Sequence, residues 1–358
     1  MKNWTMPDDA TGIMDEPEGA ETVSVRFATL LDQISKEKPI DNKDFINQVE
    51  RINDFARSSL PHFLYRYRRC DERAIEMLRT DNIFMPRAST FNDPYDSTVY
   101  IDKQHCFDEI DKYCNIDVIN NILALLDSKE VMNRYSQEDI EKFRKALCRM
   151  KDDPDKTLED FKNSVSQKIK RLINDKQSMH CLCFSESPDS PMMWAHYADY
   201  SKGFVCAYDF KANQPKCSCT SSELCKGGFL FDFYPVMYGT HRYDATSLVP
   251  LLLSKPYRMG SLSMLPDSYD LQLQLNALLR KAIDWEHEHE WRVSVPTCAD
   301  SASGEVYMHA RPSSVYLGAA IDENNEDEIR RVATEKGVEL YKMGYGDSPE
   351  YRLIAKMV

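Results

Sequence analysis

The chain reads as an α+β protein with a mixed central sheet, flanking helices and a helical insertion. Three observations predict this. Short strand-like runs are mixed with helical ones. Residues 104–178 are strongly helical and charged, with few Gly or Pro. Apolar residues make up 42 % and aromatic residues 11 % of 358, enough for a substantial core.

Residues 1–20 are dominated by Asp, Glu, Pro and Gly and read as a disordered tail without the apolar run of a signal peptide. Residues 21–60 form a helical extension of one or two helices, with apolar spacing at Val25, Leu30, Leu31 and Ile34 and again at Phe45, Val49, Ile52 and Phe55. A single α+β domain spans 61–358, with 104–178 as its insert. FLYRYR (Phe63–Arg68) predicts a strand, DERAIEMLRT a helix starting at Asp71, and NIFMPRAS an extended segment leading to a turn at TFNDPYD. CLCFSES (Cys181–Ser187) predicts a buried strand. DSPMMWAHYADYSKG predicts a helix with Ser190 as N-cap, Pro191 in the first turn and Gly203 just past its end. FVCAYDF and the region of FYPVMY predict strands, Leu271–Ile283 a helix, and WRVSVP a strand. SSVYLGAAI, DENNEDEIRRVATEKG and VELYKMGY predict a strand–helix–strand unit.

Lys and Arg number 45 against 58 Asp and Glu, a net charge of −13 that argues against a broad nonspecific nucleic-acid surface. No apolar run approaches a membrane span, and the eleven cysteines read as reduced thiols, so a cytoplasmic protein is expected. Cys217, Cys219 and Cys225 form the one tight cysteine cluster, without a CxxC pair or an evident fourth zinc ligand. Motifs of the Walker, GxGxxG, HExxH and GxSxG kinds are absent.

EHEHEWR (Glu286–Arg292) carries the densest chemistry. Read as extended, it puts Glu286, Glu288, Glu290 and Arg292 on one face, and Trp285, His287, His289 and Trp291 on the other. Crowded carboxylates raise the pKa of the most buried one, which suits acid–base work. Exposed acids at a helix end and a metal site through His287 and His289 are the competing readings. Arg66 and Arg68 share one face of their strand, opposite Tyr65 and Tyr67, and suit either a diphosphate or salt bridges. Asn92, in the rigid FNDPYD turn, caps that turn or offers an amide to a ligand. His196 and Tyr200, at i and i+4, either face a pocket or serve the core, as do Trp194, Tyr197 and Ala198.

FLYRYR, the segment NIFMPRASTFNDPYD, CLCFSESPDSPMMWAHYADYSKGF, WEHEHEWRV and SSVYLGAAI, in this order, resemble the bacterial domain of unknown function 2971 from about residue 62 to the C-terminus. More distantly the order is similar to the Arg–Ser–Glu pattern of ADP-ribosyltransferases: an arginine (Arg66 or Arg68), a Ser-x-Ser (Ser185-Glu186-Ser187) and a Glu-x-Glu (Glu288-His289-Glu290), with Glu186 where a threonine is usual. That resemblance implies an ADP-ribosyltransferase-like fold and NAD as cofactor, with no metal. It implies transfer of ADP-ribose or hydrolysis of NAD in a bacterial defence or stress setting. Glu290 would bond the ribose, Glu288 would deprotonate a protein or nucleic-acid acceptor, and Arg66 or Arg68 would hold the pyrophosphate. Ser185 would orient the ribose or Glu290, Tyr67 or Tyr197 would stack the nicotinamide, and Asn92 would cover the dinucleotide. A non-catalytic nucleotide- or protein-binding sensor is one alternative. A metal-dependent hydrolase using His287, His289, Asp93 or His196 is another. Oligomeric state is left open.

Overall fold

The computed structural model describes residues 21–37, 42–113, 115–134, 136–174, 179–213, 216–217, 232–249, 268–296, 305–347 and 349–358. The chain is α+β and divides into two compact units: residues 1–97, 176–242 and 259–358, and residues 98–175 with 243–258. No helix among the described residues is long and apolar enough to cross a membrane.

The second unit is helical: α4 (Lys103–Tyr113), α5 (Ile116–Leu125), α6 (Lys129–Arg134), α7 (Gln137–Asp152) and α8 (Pro154–Asn174). Asn115 and Ser136 accept backbone N–H groups at the starts of α5 and α7, as good N-caps do. Their apolar faces meet in a small core of Ile119, Leu126, Ile140 and Leu147. Residues 243–245 join the unit through backbone bonds with Tyr100.

The first unit begins with α1 (Val23–Lys36) and α2 (Asn42–Ser59) and is organised by one eight-stranded sheet. Its order is β13 (Leu353–Met357), β12 (Glu339–Tyr345), β11 (Ser314–Leu317), β4 (Phe204–Tyr208), β1 (Leu64–Arg68), β3 (Met179–Ser185), β9 (Glu290–Pro296) and β6 (Phe233–Pro235). The pairs are antiparallel except β11 with β12, which are parallel and joined through α11 (Glu323–Lys336). Asp322 caps α11 and Gly337 closes it at φ 62°. A smaller sheet joins β2 (Asn82–Met85), β10 (Val306–His309) and β5 (Lys216–Cys217). The helix after β1 is α3 (Glu72–Thr80), capped by Asp71.

Directly paired residues share a face of a sheet. Tyr65 pairs with Ser185, and Ser185 with Glu290, so these three lie abreast on one face. Tyr67, Cys183 and Arg292 share that face, which packs Tyr65 and Tyr67 with Trp194 and Tyr316. The opposite face carries Leu64, Phe184, Trp291 and Val293 in the main core, and with them Arg66 and Arg68.

β1 pairs with β4 along all five residues but meets β3 at one registered pair, Tyr65 with Ser185. Farther along β3, Cys181 donates its N–H to Pro86 O instead. Between these contacts the sheet is split, and Arg66 Nη1 crosses the split to donate to Cys183 O at 2.8 Å.

Three segments depart from their expected form. α9 covers Pro191–Tyr197 and stops well before Gly203, because Asp199, Tyr200 and Ser201 all turn left-handed (φ 47°, 55° and 65°). The early reversal seats Gly203 against β1, where a Cβ would lie 2.0 Å from Arg68 O. The helix expected at 271–283 is α10 (Ser268–Leu279) followed by β8 (Arg280–Ala282), which pairs with β7 (Met237–Gly239). EHEHEWR is not one strand. Ile283–Glu288 is a 3-10 turn, His289 turns left-handed at φ 42°, and β9 starts at Glu290. Glu286 is therefore exposed and leaves the face that Glu288 and Glu290 occupy.

Candidate functional site

A cavity of about 200 Å³ opens at the split. Arg66, Tyr67, Arg68, Asn92, Ser185, Tyr197, Glu288 and Glu290 all line it. His196 lies outside it, in a neighbouring cavity that shares Asn92.

Glu288 and Glu290 meet because the left-handed corner at His289 replaces a straight pleat. Both are buried, at 3 % and 5 % exposure. Lys281 Nζ bonds Glu288 Oε2 at 2.5 Å and Glu290 Oε2 at 3.2 Å. Arg292 Nε and Nη2 bind the two oxygens of Glu290 at 2.7 and 2.9 Å. The same guanidinium holds both oxygens of Asp96 at 2.7 Å, and its Nη1 also donates to Leu278 O. Three buried carboxyls thus face two buried cations.

The excess negative charge falls unequally. Burial pushes Glu288 above the usual carboxylate range, helped by Glu290, with Lys281 and Tyr197 opposing. Burial acts on Glu290 in the same direction, but Arg292 and Lys281 outweigh it and hold this carboxyl well below its ordinary value. One acid is poised to carry a proton while its neighbour stays ionised, the division of labour of an acid–base pair. Tyr197 Oη donates to Glu288 Oε1 at 2.5 Å, and burial with Glu288 nearby raises its own pKa.

Ser185 Oγ donates to Glu288 O at 2.8 Å. It pins the corner and touches neither carboxyl group. Glu290 N–H donates to Tyr238 Oη at 2.8 Å, and Glu186 N–H to His289 O, so the corner is held from three sides. Glu186, in the middle of the Ser-x-Ser, accepts the indole N–H of Trp291 at 2.6 Å.

Tyr67 is a wall and not a stacking platform. Its hydroxyl donates to Ser187 O, and its buried ring meets Trp194 edge-on at 5.4 Å. Tyr197 is half-buried, and Asn92, exposed, hydrogen-bonds it. Asp93 Oδ1 accepts Tyr95 N–H within the turn.

Arg66 and Arg68 reach the cavity from the opposite face of the sheet and do not touch Glu290. Among the described residues neither guanidinium pairs with a carboxylate. Arg66 donates to a backbone carbonyl and leaves Nε buried without a partner, while Arg68 reaches the Met77 sulfur. Burial, with Arg68 beside it, lowers Arg66 to about 10, and burial lowers Arg68.

Among the described residues no group of three His, Cys, Asp or Glu side chains is placed to hold a metal ion. His287 is half-buried while His289 stands exposed on the corner. The side chains of Cys217, Cys219 and Cys225 lie outside the described residues.

Lys281 and Asp96 escaped sequence reasoning. Lys281 sits where a helix pattern runs on unbroken, and Asp96 reaches Arg292 from a turn nearly 200 positions away, at |i−j| 196. The i, i+2 spacing of Glu290 and Arg292 was the one local signal of the network.

Residues 193–293 match the family described as Protein of unknown function (DUF2971). The match runs from α9 to β9, so it covers Tyr197, Lys281, Glu288, Glu290 and Arg292. It leaves out β1 with its arginines, Asn92 and Ser185. No curated protein and no solved structure matches the chain.

Proposed function

We propose that the cavity binds NAD⁺ and cleaves its nicotinamide–ribose bond, passing ADP-ribose to water or to an acceptor. One observation carries this reading: the cavity is bipolar. At one end stand two arginines without carboxylates, and at the other three carboxyls outnumber two cations. NAD⁺ is bipolar in the same sense, with an anionic diphosphate and a cationic nicotinamide ring. At about 200 Å³ the cavity is smaller than the roughly 300–1,000 Å³ usual for small-molecule sites, so a dinucleotide would fill it and project beyond it.

In the step proposed, the C1′–N bond breaks and its electron pair leaves with nicotinamide, which departs neutral. The ribose develops oxocarbenium character, stabilised by the negative end of the cavity. Water or an acceptor X–H bonds to C1′ and gives its proton to Glu288, whose raised pKa makes it the better base. Glu288 thus keeps the base role that the motif comparison gave it, while Glu290, there a partner of the ribose, changes role. Both carboxyls have their two oxygens engaged, Glu288 by Tyr197 and Lys281 and Glu290 by Arg292 and Lys281, so it is the pKa held low by Arg292 that makes Glu290 the fixed negative charge. Arg66 and Arg68 hold the diphosphate. A bacterial defence or stress setting rests on the motif resemblance alone.

The saturation of Glu290 favours a second reading, a nucleotide-binding sensor without turnover. Purified protein incubated with NAD⁺ separates the two. Release of nicotinamide that Glu288→Gln abolishes in a folded protein supports the transferase or hydrolase. A rise in Tm with NAD⁺ or ADP and no nicotinamide supports the sensor. Neither turnover nor stabilisation rejects both.

A further inference from the structure

We infer that the second cavity, beside the acidic cluster, is a binding site for a nucleobase. It has a volume of about 260 Å³ and is lined by Arg69, Asn92, His196, Asp199, Tyr200 and Trp285. Three of these six are aromatic rings and the other three are polar groups that match the edge of a heterocycle: an amide, a carboxylate and a guanidinium. Stacking on aromatic faces with hydrogen bonds at the rim is how single bases are held.

The walls look built for a ligand. Asp199 and Tyr200 are displayed by three consecutive left-handed residues, a conformation costing roughly 1–2 kcal/mol per residue outside glycine. Backbone bonds hold it: Ser201 N–H to Trp194 O at 3.2 Å, Ala320 N–H to Ser201 O at 2.9 Å and Gly203 N–H to Ala198 O at 2.8 Å. Tyr200 itself is 74 % exposed. A large aromatic side chain on a strained, firmly tied turn gains nothing for the core, and such strain gathers at binding sites.

His287 supplies an independent sign. Its ring stands 6.0 Å from His196 and 6.2 Å from Trp285, two of the lining residues. Nδ1 lies 3.1 Å from Asp284 O, which can accept but not donate, so Nδ1 carries the proton. Nε2 is then an acceptor, and it is buried without a donor. His287 does not itself line the cavity, so this acceptor counts as an unpartnered polar atom beside the site and not as a contact of the base.

The site also touches the acidic end. Trp285 stacks under Lys281 Nζ at 4.9 Å, and Lys281 binds Glu288. On the NAD⁺ reading above, and resting on it, this base would be the acceptor. The binding itself does not depend on that reaction.

Trp285 gives the test a reporter, because Trp194 and Trp291 are fully buried and the fourth tryptophan, Trp4, is removed by working in a Trp4→Phe background. The full chain is titrated with each of the four ribonucleoside monophosphates and with a short single-stranded oligonucleotide, following tryptophan fluorescence and calorimetry. Saturable quenching by at least one probe is expected, with affinity reduced roughly tenfold in Tyr200→Ala and in Trp285→Ala and unchanged in Tyr345→Ala, whose exposed ring lines neither cavity. Binding of the monophosphate identifies a free nucleotide, and binding of the oligonucleotide alone identifies a strand; either supports the site. No binding of any probe at millimolar concentration, or binding that survives both aromatic substitutions, overturns it. Tyr200 is exposed, so Tyr200→Ala reads the site even if Trp285→Ala fails to fold. Nicotinamide release from NAD⁺, measured alongside with and without the bound nucleotide, fails in both cases only if the proposed reaction is wrong.

Discussion

The two ends of the cavity bury charge in opposite ways. At β9 every charge has partners: Glu290, Asp96, Arg292 and Lys281 form a closed network. At β1 two half-buried arginines have a backbone carbonyl and a thioether as hydrogen-bond neighbours. A satisfied network holds shape, because removing any member strands the rest. An unsatisfied pair costs free energy that a bound anion would offset. On the proposed function, the contrast separates the part of the site that builds the fold from the part that an anion would complete.

Stability measurements break or sharpen that contrast most strongly. Arg292→Ala leaves Glu290 and Asp96 facing each other in the core, and the expected loss is about 3–5 kcal/mol in urea unfolding. Arg66→Met removes a cation that pairs with no carboxylate among the described residues while keeping apolar bulk, so its effect is expected within about 1 kcal/mol of wild type or stabilising. Equal losses from the two substitutions would abolish the distinction between the ends. Arg66→Met should also remove most of the stabilisation that ADP gives, which Arg292→Lys, if folded, should retain in part.

Within the acidic end, Glu288 and Glu290 differ in the same way on a smaller scale. If the proposed reaction is right, Glu288→Gln lowers nicotinamide release by about 10²–10⁴-fold with no loss in unfolding midpoint at neutral pH. Glu290→Gln acts first on stability, because it leaves Arg292 with one carboxylate fewer. A Glu288→Gln protein of full activity beside an inactive but folded Glu290→Gln protein would exchange the two roles. Gly203→Ala comes next in size. Its Cβ would meet the Arg68 carbonyl at 2.0 Å, so β1 or the turn after α9 must shift, at about 1–3 kcal/mol by thermal unfolding.

Much of the fold was legible because it is local. Asp71, Ser190 and Asp322 mark the starts of α3, α9 and α11, and alternation along FLYRYR placed the arginines and tyrosines on opposite faces. The acid pair was legible as a pair but not as a shape. Alternation alone spreads Glu286, Glu288 and Glu290 along one face, whereas the left-handed turn at His289 selects two of them. That turn is set by tertiary bonds from Ser185 and Glu186, which no window around residue 289 contains. Asp96 was hidden for the same reason, since its partner Arg292 lies far along the chain, whereas Lys281 was hidden because its segment reads as unbroken helix although Glu288 and Glu290 follow within nine residues. The end of α9 was misjudged because Gly203 looked like a helix terminator, when its role is a close approach to β1.

The finest test of the comparison is the pH dependence of stability for the two glutamates. Glu288 has a folded pKa raised above its unfolded value of about 4.3, so the folded protein binds its proton more tightly than the unfolded chain. Its contribution is fully present below about pH 4.3 and is lost as pH rises through the folded value. Glu290, held low by Arg292 and Lys281, behaves oppositely: its contribution is present above about pH 4.3 and is lost as pH falls. Urea midpoints between about pH 4 and pH 8 should therefore show Glu288→Gln gaining on wild type as pH rises. The gain is about 1.4 kcal/mol for each unit by which the wild-type pKa is raised. Glu290→Gln should instead keep a constant deficit across that range and recover toward wild type only as pH falls below about 4.3. Parallel curves for the two variants would mean that the carboxyls share the excess charge equally, and that neither is singled out to carry a proton.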